Sequence, residues 1–204
     1  MNDIVFEKVS FSYSDKIILQ NFDLTIPRSQ ITTLSGVSGC GKTTILKLCA
    51  KILQPQNGQI LGLPERVSMV FQESRLPVWL TVEKQIQWIL PDFMTNIQKK
   101  EMTTYFLEST GLFTYRKHYP KQLSGGMQQR LNLARAFAYP SVLLLMDEPF
   151  KQLDLVLKTE MMTLFQKLWE KEKRTVLLVT HDESESKMLS NNNIEVGGSP
   201  LKIL

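Results

Sequence analysis

Short apolar runs separated by polar turns dominate the first part of the chain. β-Branched and aromatic side chains concentrate in residues 4–11, 22–26 and 31–34, while residues 14–16 and 27–29 contain turn-forming types such as serine, aspartate and proline. We therefore predict an antiparallel β layer that leads into the first strand of a core sheet at residues 31–34.

Three more apolar runs follow at residues 67–71, 142–146 and 176–179, and helix-like patterns lie between them. Buried runs of this kind, alternating with helices, are typical of a largely parallel sheet that helices cover on both faces. A last strand is predicted at residues 194–196. The pattern therefore predicts an α/β fold.

The chain between the second and third core runs is much longer than a single crossover between parallel strands requires. Its helix-like segments cover residues 81–90, 98–110 and 127–139, and the pattern gives no convincing strand among them. We therefore predict an inserted helical subdomain, at about residues 73–138, within a single domain that spans residues 1–204.

The composition is that of an ordinary globular protein. Hydrophobic residues make up 43% of the 204 residues and charged residues 22%, and no apolar run approaches the roughly 18 residues needed to cross a bilayer. The first residues also lack the charged and apolar regions of a secretory signal peptide. The two cysteines have no metal or redox spacing. We therefore expect a protein that is made and kept in the cytosol.

The net charge of +4 does not by itself indicate a nucleic-acid-binding protein. The lysine-rich residues 167–174 also contain Glu170 and Glu172, and interleaved charges of both signs favour a solvated helix face. We therefore predict no nucleic-acid partner.

The most specific motif is the stretch GVSGCGKTT, which follows an apolar run and leads into an apolar-periodic helix pattern. The pattern G-x-x-x-x-G-K-[ST] between a strand and a helix indicates a phosphate-binding loop. Its glycines let successive backbone N–H groups point at phosphates, and the helix adds its positive N-terminal end. Lys42 supplies a point charge and Thr43 a hydroxyl for Mg²⁺. The residues predicted to bind the nucleotide here are Gly36, Ser38, Gly39, Cys40, Gly41, Lys42, Thr43 and Thr44.

Polar residues follow each of the four core runs. The phosphate loop comes after Leu34, and the other three runs lead to Gln72, to Asp147 with Glu148, and to His181. In open α/β sheets, ligands bind beyond the carboxyl ends of the strands. We therefore expect these side chains to meet in one crevice.

Each of these side chains has a candidate role. Asp147 fits the second Mg²⁺-holding carboxylate of a phosphate-loop NTPase, and Gln72 could ligate Mg²⁺ or orient water. Glu148 is placed to face the γ-phosphate and polarise an attacking water, because successive residues leaving a strand point in opposite directions. His181 could donate a hydrogen bond to the γ-phosphate or its leaving oxygen. Tyr13 offers a ring for adenine to stack on, although an aromatic residue in a β layer usually belongs to the core.

A second helix start with anion-binding features lies in the segment LSGGMQQR, residues 123–130. Ser124 is a good N-cap, and Gly125 and Gly126 expose backbone N–H groups at the positive end of the following helix. One nucleotide cannot easily use both helix starts of the same subunit. The second start is therefore predicted to serve a partner's ATP.

The order of residues 36–44, 123–130 and 143–149 resembles the phosphate loop, the signature motif and the acidic strand end of ABC transporter ATPase subunits, and the likeness extends along almost the whole chain. The resemblance implies a P-loop NTPase (RecA-like) core with an antiparallel β subdomain and a helical subdomain. It further implies a head-to-tail homodimer with two ATP molecules, each between one subunit's phosphate loop and the other's signature.

The resemblance also assigns roles to single residues. It makes Tyr13 the adenine-stacking aromatic, Gln72 the Q-loop residue, His181 the switch histidine, and Asp154 a member of the D-loop. Residues 151–152 read Lys-Gln where the family usually has a small residue followed by alanine, which places a cation near the implied dimer seam.

Residues 70–82 are similar to the corresponding segment of importers of nitrate, alkanesulfonates and taurine. The resemblance implies a subunit that binds and hydrolyses ATP, with Mg²⁺, to power uptake of a small solute. It implies a place at the cytoplasmic face of the cell membrane, on integral permease subunits, with an extracytoplasmic solute-binding protein as an indirect partner. The alternative is a soluble ABC ATPase without a transport role, but such proteins usually carry two cassettes or a long coiled-coil insertion.

The apolar residues Trp79, Val82, Ile86 and Ile89 have the spacing of one helix face. They could form a groove for a helix of the membrane partner, or an ordinary buried face. The spacing alone leaves both alternatives open.

Overall fold

The structure is a computed structural model that describes residues 2–73, 75–151 and 153–204. It divides into two compact units. The first unit contains the residues up to 69 together with 142–149 and 173–204, and the second contains 70–141 and 150–172. The predicted helical subdomain at about 73–138 falls within the second unit.

The strands of the described residues, in chain order, are β1 (Ile4–Tyr13), β2 (Lys16–Ile26), β3 (Ile31–Ser35), β4 (Asn57–Leu61), β5 (Val67–Val70), β6 (Leu143–Asp147), β7 (Thr175–Thr180), β8 (Asn192–Gly197) and β9 (Lys202–Ile203). The α-helices are α1 (Lys42–Cys49), α2 (Val82–Ile89), α3 (Asn96–Ser109), α4 (Gly125–Ala138), α5 (Leu155–Glu172) and α6 (Glu183–Leu189). None of these helices is both long and apolar enough to cross a membrane.

In the first unit, β1, β2 and β4 form an antiparallel sheet in the order β2-β1-β4, which confirms the predicted β layer. In a regular strand, residues on one face are two positions apart, but Phe6 and Val9 of β1 are three positions apart and both are buried. The register shifts between these two residues, where Lys8 has a φ of 47° and donates its backbone N–H to Asp23 Oδ1 at 2.8 Å. This bulge keeps the apolar side chains on one face of the sheet.

The other sheet of the first unit has the order β5-β6-β7-β3-β8-β9. β7 pairs in parallel with both β6 and β3, and β3 also pairs in parallel with β8. Every residue of β7 is buried, as in sheets covered on both faces. The largely parallel core sheet predicted from the apolar runs is therefore confirmed, and so is the last core strand at 194–196, which lies inside β8.

Two strands, β4 and β9, lie where the hydrophobic pattern predicts none. β4 begins within a segment whose proline, asparagine and glycine indicate a turn, and four of its five residues are exposed. It is a strand because its backbone pairs with β1, from Val5 with Leu61 to Ser10 with Asn57. An exposed edge strand has no buried face, so it leaves no apolar alternation in the sequence.

The second unit is helical, and α2, α3 and α4 begin within two residues of the predicted positions. α2, α3 and α4 pack on one another, and α5 packs on α4. α3 begins with a capping box, in which the Thr95 hydroxyl accepts from the N–H of Gln98 and the Gln98 side chain accepts from the N–H of Thr95. The rings of Phe137 and Phe150 both meet the ring of Phe165 edge to face.

The structure decides between the two alternatives for the apolar face of α2. Val82 and Ile86 are fully buried, so an exposed groove that includes them is wrong. Trp79 precedes the helix and is 71% exposed, and its neighbour Val78 is also exposed. An apolar surface therefore exists before α2, but it consists of the loop residues.

Replacing Phe165 by alanine is expected to destabilise the protein by about 3–5 kcal/mol, because it removes a fully buried ring and leaves a cavity. Urea unfolding of the full chain measures this change. Phe93→Ala is the matched control, since the Phe93 ring is exposed and its loss should cost no more than about 0.5 kcal/mol. A similar loss in both variants would contradict the central position of Phe165.

Candidate nucleotide site

The loop between β3 and α1 has three glycines with positive φ, and two of them also have no room for a side chain. Gly36 has a φ of 149°, and a Cβ there would lie 1.9 Å from the carbonyl oxygen of Val196. Gly41, the residue before α1, has a φ of 124°, and its Cβ would lie 2.7 Å from Cγ2 of Ile18. At Gly39, by contrast, a Cβ would meet nothing within 4 Å. The loop is thus closely packed at its two ends and open at its centre.

Lys42 lies against the loop that precedes it. Its Nζ donates to the carbonyl oxygens of Gly36 at 2.7 Å and Val37 at 2.8 Å, and the side chain is only 5% exposed. These charge-assisted hydrogen bonds compensate the burial of the ammonium group. The lysine thus holds its charge beside the backbone N–H groups of the loop.

The other predicted loop residues differ in what they present. Ser38 and Thr43 are exposed, whereas the side chains of Cys40 and Thr44 are buried. Cys40 belongs to the apolar core of the first unit. A phosphate contact of Cys40 or Thr44 is therefore expected through the backbone N–H.

Thr43 and Asp147 come together although they are far apart in the sequence. The Thr43 hydroxyl donates to Asp147 Oδ1 at 3.2 Å. Burial raises the pKa of Asp147 above its ordinary value, and the charge of Glu148 acts in the same direction, while the hydrogen bond from Thr43 and the charges of Lys42 and Lys47 oppose the rise. Hydroxyl and carboxylate oxygens are ligands that suit Mg²⁺, and a cation would favour the charged carboxylate.

Glu148 and His181 form a second pair at the same strand ends. His181 Nδ1 lies 3.3 Å from Glu148 Oε1. Glu148 is 9% exposed and has a φ of 45°, a left-handed conformation that is uncommon for residues other than glycine. Its backbone N–H donates to Val179 O at 2.9 Å, which ties this conformation to β7.

Thr180 and Glu185 hold the turn around His181, although neither is predicted from the sequence as a functional residue. Thr180 Oγ1 donates to Glu185 Oε2 at 2.6 Å and accepts from the N–H of Asp182 at 3.0 Å. Glu185 is buried although it lies in a strongly polar segment. The hydrophobic pattern contains no signal for such a residue, because its burial depends on polar partners, among them the Thr180 hydroxyl five residues earlier.

Tyr13 ends β1 and is 41% exposed, so it is not part of the core. Its ring contacts Phe11 edge to face, with 4.9 Å between the ring centroids. Ile18, on the paired strand β2, lies against Gly41 of the phosphate loop. The hairpin that carries Tyr13 is therefore packed beside the loop, and adenine stacking on its ring remains a prediction.

The second unit contains the other predicted site residues. Ser124 caps α4 by accepting from the N–H of Met127 at 3.3 Å. Asp154 accepts from the N–H of Leu157 at 3.0 Å, and a Cβ on Gly126 would lie 2.8 Å from Leu157 Cδ1. The structure therefore brings the start of α4 and the start of α5 together. Gly125 has open space around its Cα.

Gln72 is an exposed residue of the second unit, and its role toward Mg²⁺ or water stays a prediction. Shortly after it, Arg75 places its guanidinium 3.9 Å from the centroid of the Phe71 ring and accepts, through its carbonyl, from Arg135 Nη1 at 3.1 Å. Burial lowers the pKa of Arg135. Of the unusual pair at 151–152, Gln152 lies outside the described residues.

Comparison with known proteins gives a consistent result. A family model for ABC transporters matches residues 19–151, which is more than half of the chain. An ATP-binding protein of Brucella abortus biovar 1 is 36% identical over 206 residues, covering 97% of this chain and 79% of the relative. An aliphatic sulfonates import ATP-binding protein of Bacillus cereus is 35% identical over 193 residues, covering 91% of this chain and 76% of the relative.

Among solved structures, a dimeric bacterial ABC transporter cassette superposes with a TM-score of 0.79 at 27% identity. The match covers 94% of this chain and 93% of that cassette. The likeness agrees with the predicted α/β fold, with its antiparallel β layer and helical part.

Because the pKa of Asp147 is raised, its carboxylate destabilises the fold at neutral pH. Asp147→Asn keeps an oxygen that accepts from Thr43 and removes the charge, so it should raise the thermal unfolding midpoint near pH 7.5 without nucleotide. The gain should shrink as the pH falls through the raised pKa, because the wild-type carboxylate then becomes neutral. Thermal unfolding between pH 4.5 and 8 measures this, with the exposed Asp92→Asn as control. A lower midpoint at pH 7.5 would show that attraction to Lys42 and Lys47 outweighs burial.

Proposed function

Because this chain belongs to the ABC transporter family, as an ATP-binding and ATP-hydrolysing transporter ATPase, we propose that it powers the import of a small sulfonate-, nitrate- or taurine-like solute through a membrane permease. The observation that carries the proposal is the meeting of the phosphate loop, the Thr43–Asp147 pair and the Glu148–His181 pair at the carboxyl ends of three adjacent strands. The solute class is supported by the name of the Bacillus cereus relative and by the likeness of residues 70–82 to such importers.

ATP binding is assigned to the loop of residues 36–44. Its backbone N–H groups and Lys42 Nζ would bind the phosphates at the open centre of the loop, at Gly39. Thr43 Oγ1 and Asp147 Oδ1 would hold Mg²⁺. When bound, Mg²⁺ neutralises part of the negative charge of the phosphates.

Hydrolysis is assigned to Glu148 as general base. Its carboxylate accepts a proton from the water whose oxygen attacks the γ-phosphorus, and the bond from that phosphorus to the ADP oxygen breaks. His181, which contacts Glu148 Oε1, orients the carboxylate and donates to the γ-phosphate. Thr180 and Glu185 support the turn that carries the histidine.

The partner of the site is proposed to be a second copy of this chain. Ser124, Gly125 and Gly126 of one copy would bind the γ-phosphate that the phosphate loop of the other copy holds, with Asp154 beside them at the seam. The dimeric state of the similar bacterial cassette supports this arrangement. The single domain of residues 1–204 would then be one subunit of an ATPase homodimer.

Attachment to the cytoplasmic face of the membrane is proposed to run through the permease. Val78 and Trp79 are exposed apolar residues in the segment that resembles the importers. They offer a surface for a permease helix. An extracytoplasmic solute-binding protein is the expected indirect partner, and no nucleic acid is expected.

Glu148→Gln should lower ATP turnover by at least about 100-fold, because it removes the general base. The same change should trap a dimer in Mg-ATP, which light scattering would detect as a doubled mass that requires ATP. Lys42→Ala in the Glu148→Gln background is the control, since it should abolish ATP binding and with it the dimer. A variant that binds ATP and stays monomeric would contradict the proposed pairing.

Trp79→Asp should weaken association with the membrane subunits and leave ATP binding unchanged, because it puts a charge on the proposed docking loop. Copurification from solubilised membranes, with the partner identified by mass spectrometry, measures the association. Trp88→Asp is the matched control, as Trp88 is a similarly exposed tryptophan on α2. Equal loss in both variants counts against the loop, and copurification with RNA in place of a polytopic membrane protein would favour the soluble alternative.

A further inference from the structure

Two segments of the second unit, residues 77–85 and 120–128, share the pattern Pro-x-x-Leu-[Ser/Thr]-x-x-x-Gln. The first segment ends in α2 and the second in α4. In both segments the Ser/Thr position is the N-cap, and its φ and ψ are −68° and 162° at Thr81 and −64° and 162° at Ser124. The two helices therefore begin with the same backbone geometry.

The glutamine of each segment makes the same hydrogen bonds. Its Nε2 donates to the carbonyl oxygens of the proline and the leucine of its own segment, at 3.0 and 3.3 Å for Gln85 and at 3.1 and 3.3 Å for Gln128. The backbone N–H of the glutamine donates to the carbonyl oxygen of the N-cap residue at 2.9 Å in both cases. The leucine N–H also bonds the proline carbonyl, at 3.2 and 3.1 Å. One side chain thus fixes the turn that leads into each helix.

The two helix starts differ in where their first N–H groups point. At α2, the N–H of Val82 donates to His118 O at 2.9 Å and the N–H of Glu83 donates to Arg116 O at 3.0 Å. At α4, the N–H groups of Gly125 and Gly126 have no acceptor within the described parts of the chain. The α2 start is therefore satisfied internally, whereas the α4 start has N–H groups available for a ligand.

We propose that Gln128 is a positioning residue for the ATP held by a second copy of this chain. By binding the carbonyls of Pro120 and Leu123, it fixes the turn that orients Ser124 and the two glycine N–H groups before the nucleotide arrives. Donors that are already oriented bind a phosphate without a further ordering cost. The inference rests on the proposed dimer.

Gln85 separates this role from a purely structural one. It makes the same pair of hydrogen bonds in the same unit and is fully buried, so its loss should destabilise the unit at least as much as the loss of half-buried Gln128. It fixes a helix start whose N–H groups are already bonded within the chain. Only Gln128 should therefore affect the nucleotide-dependent dimer.

The experiment compares Gln128→Leu with Gln85→Leu, each in the Glu148→Gln background. Light scattering across protein concentrations at saturating Mg-ATP gives the dimer dissociation constant, equilibrium dialysis with ATP gives nucleotide affinity of the monomer, and thermal unfolding gives stability. Gln128→Leu should weaken the dimer at least tenfold and change ATP affinity less than twofold. Gln85→Leu should leave both within twofold. Gln128→Glu, which has the size of glutamine but sets a carboxylate against the two carbonyls, should weaken the dimer at least as much as Gln128→Leu.

Two results would overturn the inference alone. One is a dimer of normal affinity in both Gln128 variants, and the other is an equal weakening by Gln85→Leu and Gln128→Leu, which would indicate a loss of stability of the whole unit. A parent Glu148→Gln protein that binds ATP and stays monomeric would overturn the proposed dimer itself, and the inference with it. In a protein that keeps Glu148 and can hydrolyse ATP, Gln128→Leu should also lower kcat at unchanged ATP affinity.

Discussion

The parallel pairing of β7 with β6 on one side and β3 on the other is the constraint on which the nucleotide site depends. Because the three strands run in the same direction, their carboxyl ends lie together. The phosphate loop follows β3, Asp147 ends β6 and Glu148 comes directly after it, and His181 follows β7. The hydrogen bond of 3.2 Å from Thr43 to Asp147 and the contact of 3.3 Å between Glu148 and His181 result from this strand arrangement. The two residues of each pair are far apart in the sequence.

The acidic residues at these strand ends lower the stability of the folded chain. Lys42 is compensated by the carbonyls of its own loop, but Asp147 is buried enough that its pKa rises despite two neighbouring lysines, and Glu148 has a left-handed backbone. A bound nucleotide with its cation would offset the cost of burying the Asp147 carboxylate, because the cation favours its charged form. The site therefore gives up some stability of the folded chain and gains a charge distribution that suits a nucleotide with its cation.

The second unit uses one local structure for two purposes. The helix starts at α2 and α4 share their turn, their N-cap conformation and their glutamine hydrogen bonds. What separates them is the pair of residues that follows the N-cap, which is Val82 and Glu83 in one case and two glycines in the other. Val82 is buried and its helix end is closed by loop carbonyls, whereas the glycines leave their N–H groups accessible. Small differences on a shared scaffold thus separate an internal helix start from one that can face a ligand.

The sequence by itself determined the features that depend on local spacing: the apolar core strands, the starts of α2, α3 and α4 within two residues, the phosphate loop and the second glycine-rich helix start. These follow from side-chain periodicity and from short motifs whose residues are neighbours in the chain. Only the tertiary structure decided that Val82 and Ile86 face the core, that β4 is a strand, that Glu185 is buried under Thr180, and that Gln85 and Gln128 act alike. The burial of Val82 and Ile86 and the pairing of β4 depend on residues that are distant in the chain. The bonds of Glu185, Gln85 and Gln128 join residues five to eight positions apart and depend on the exact backbone geometry of a helix start, about which hydrophobic periodicity carries no information.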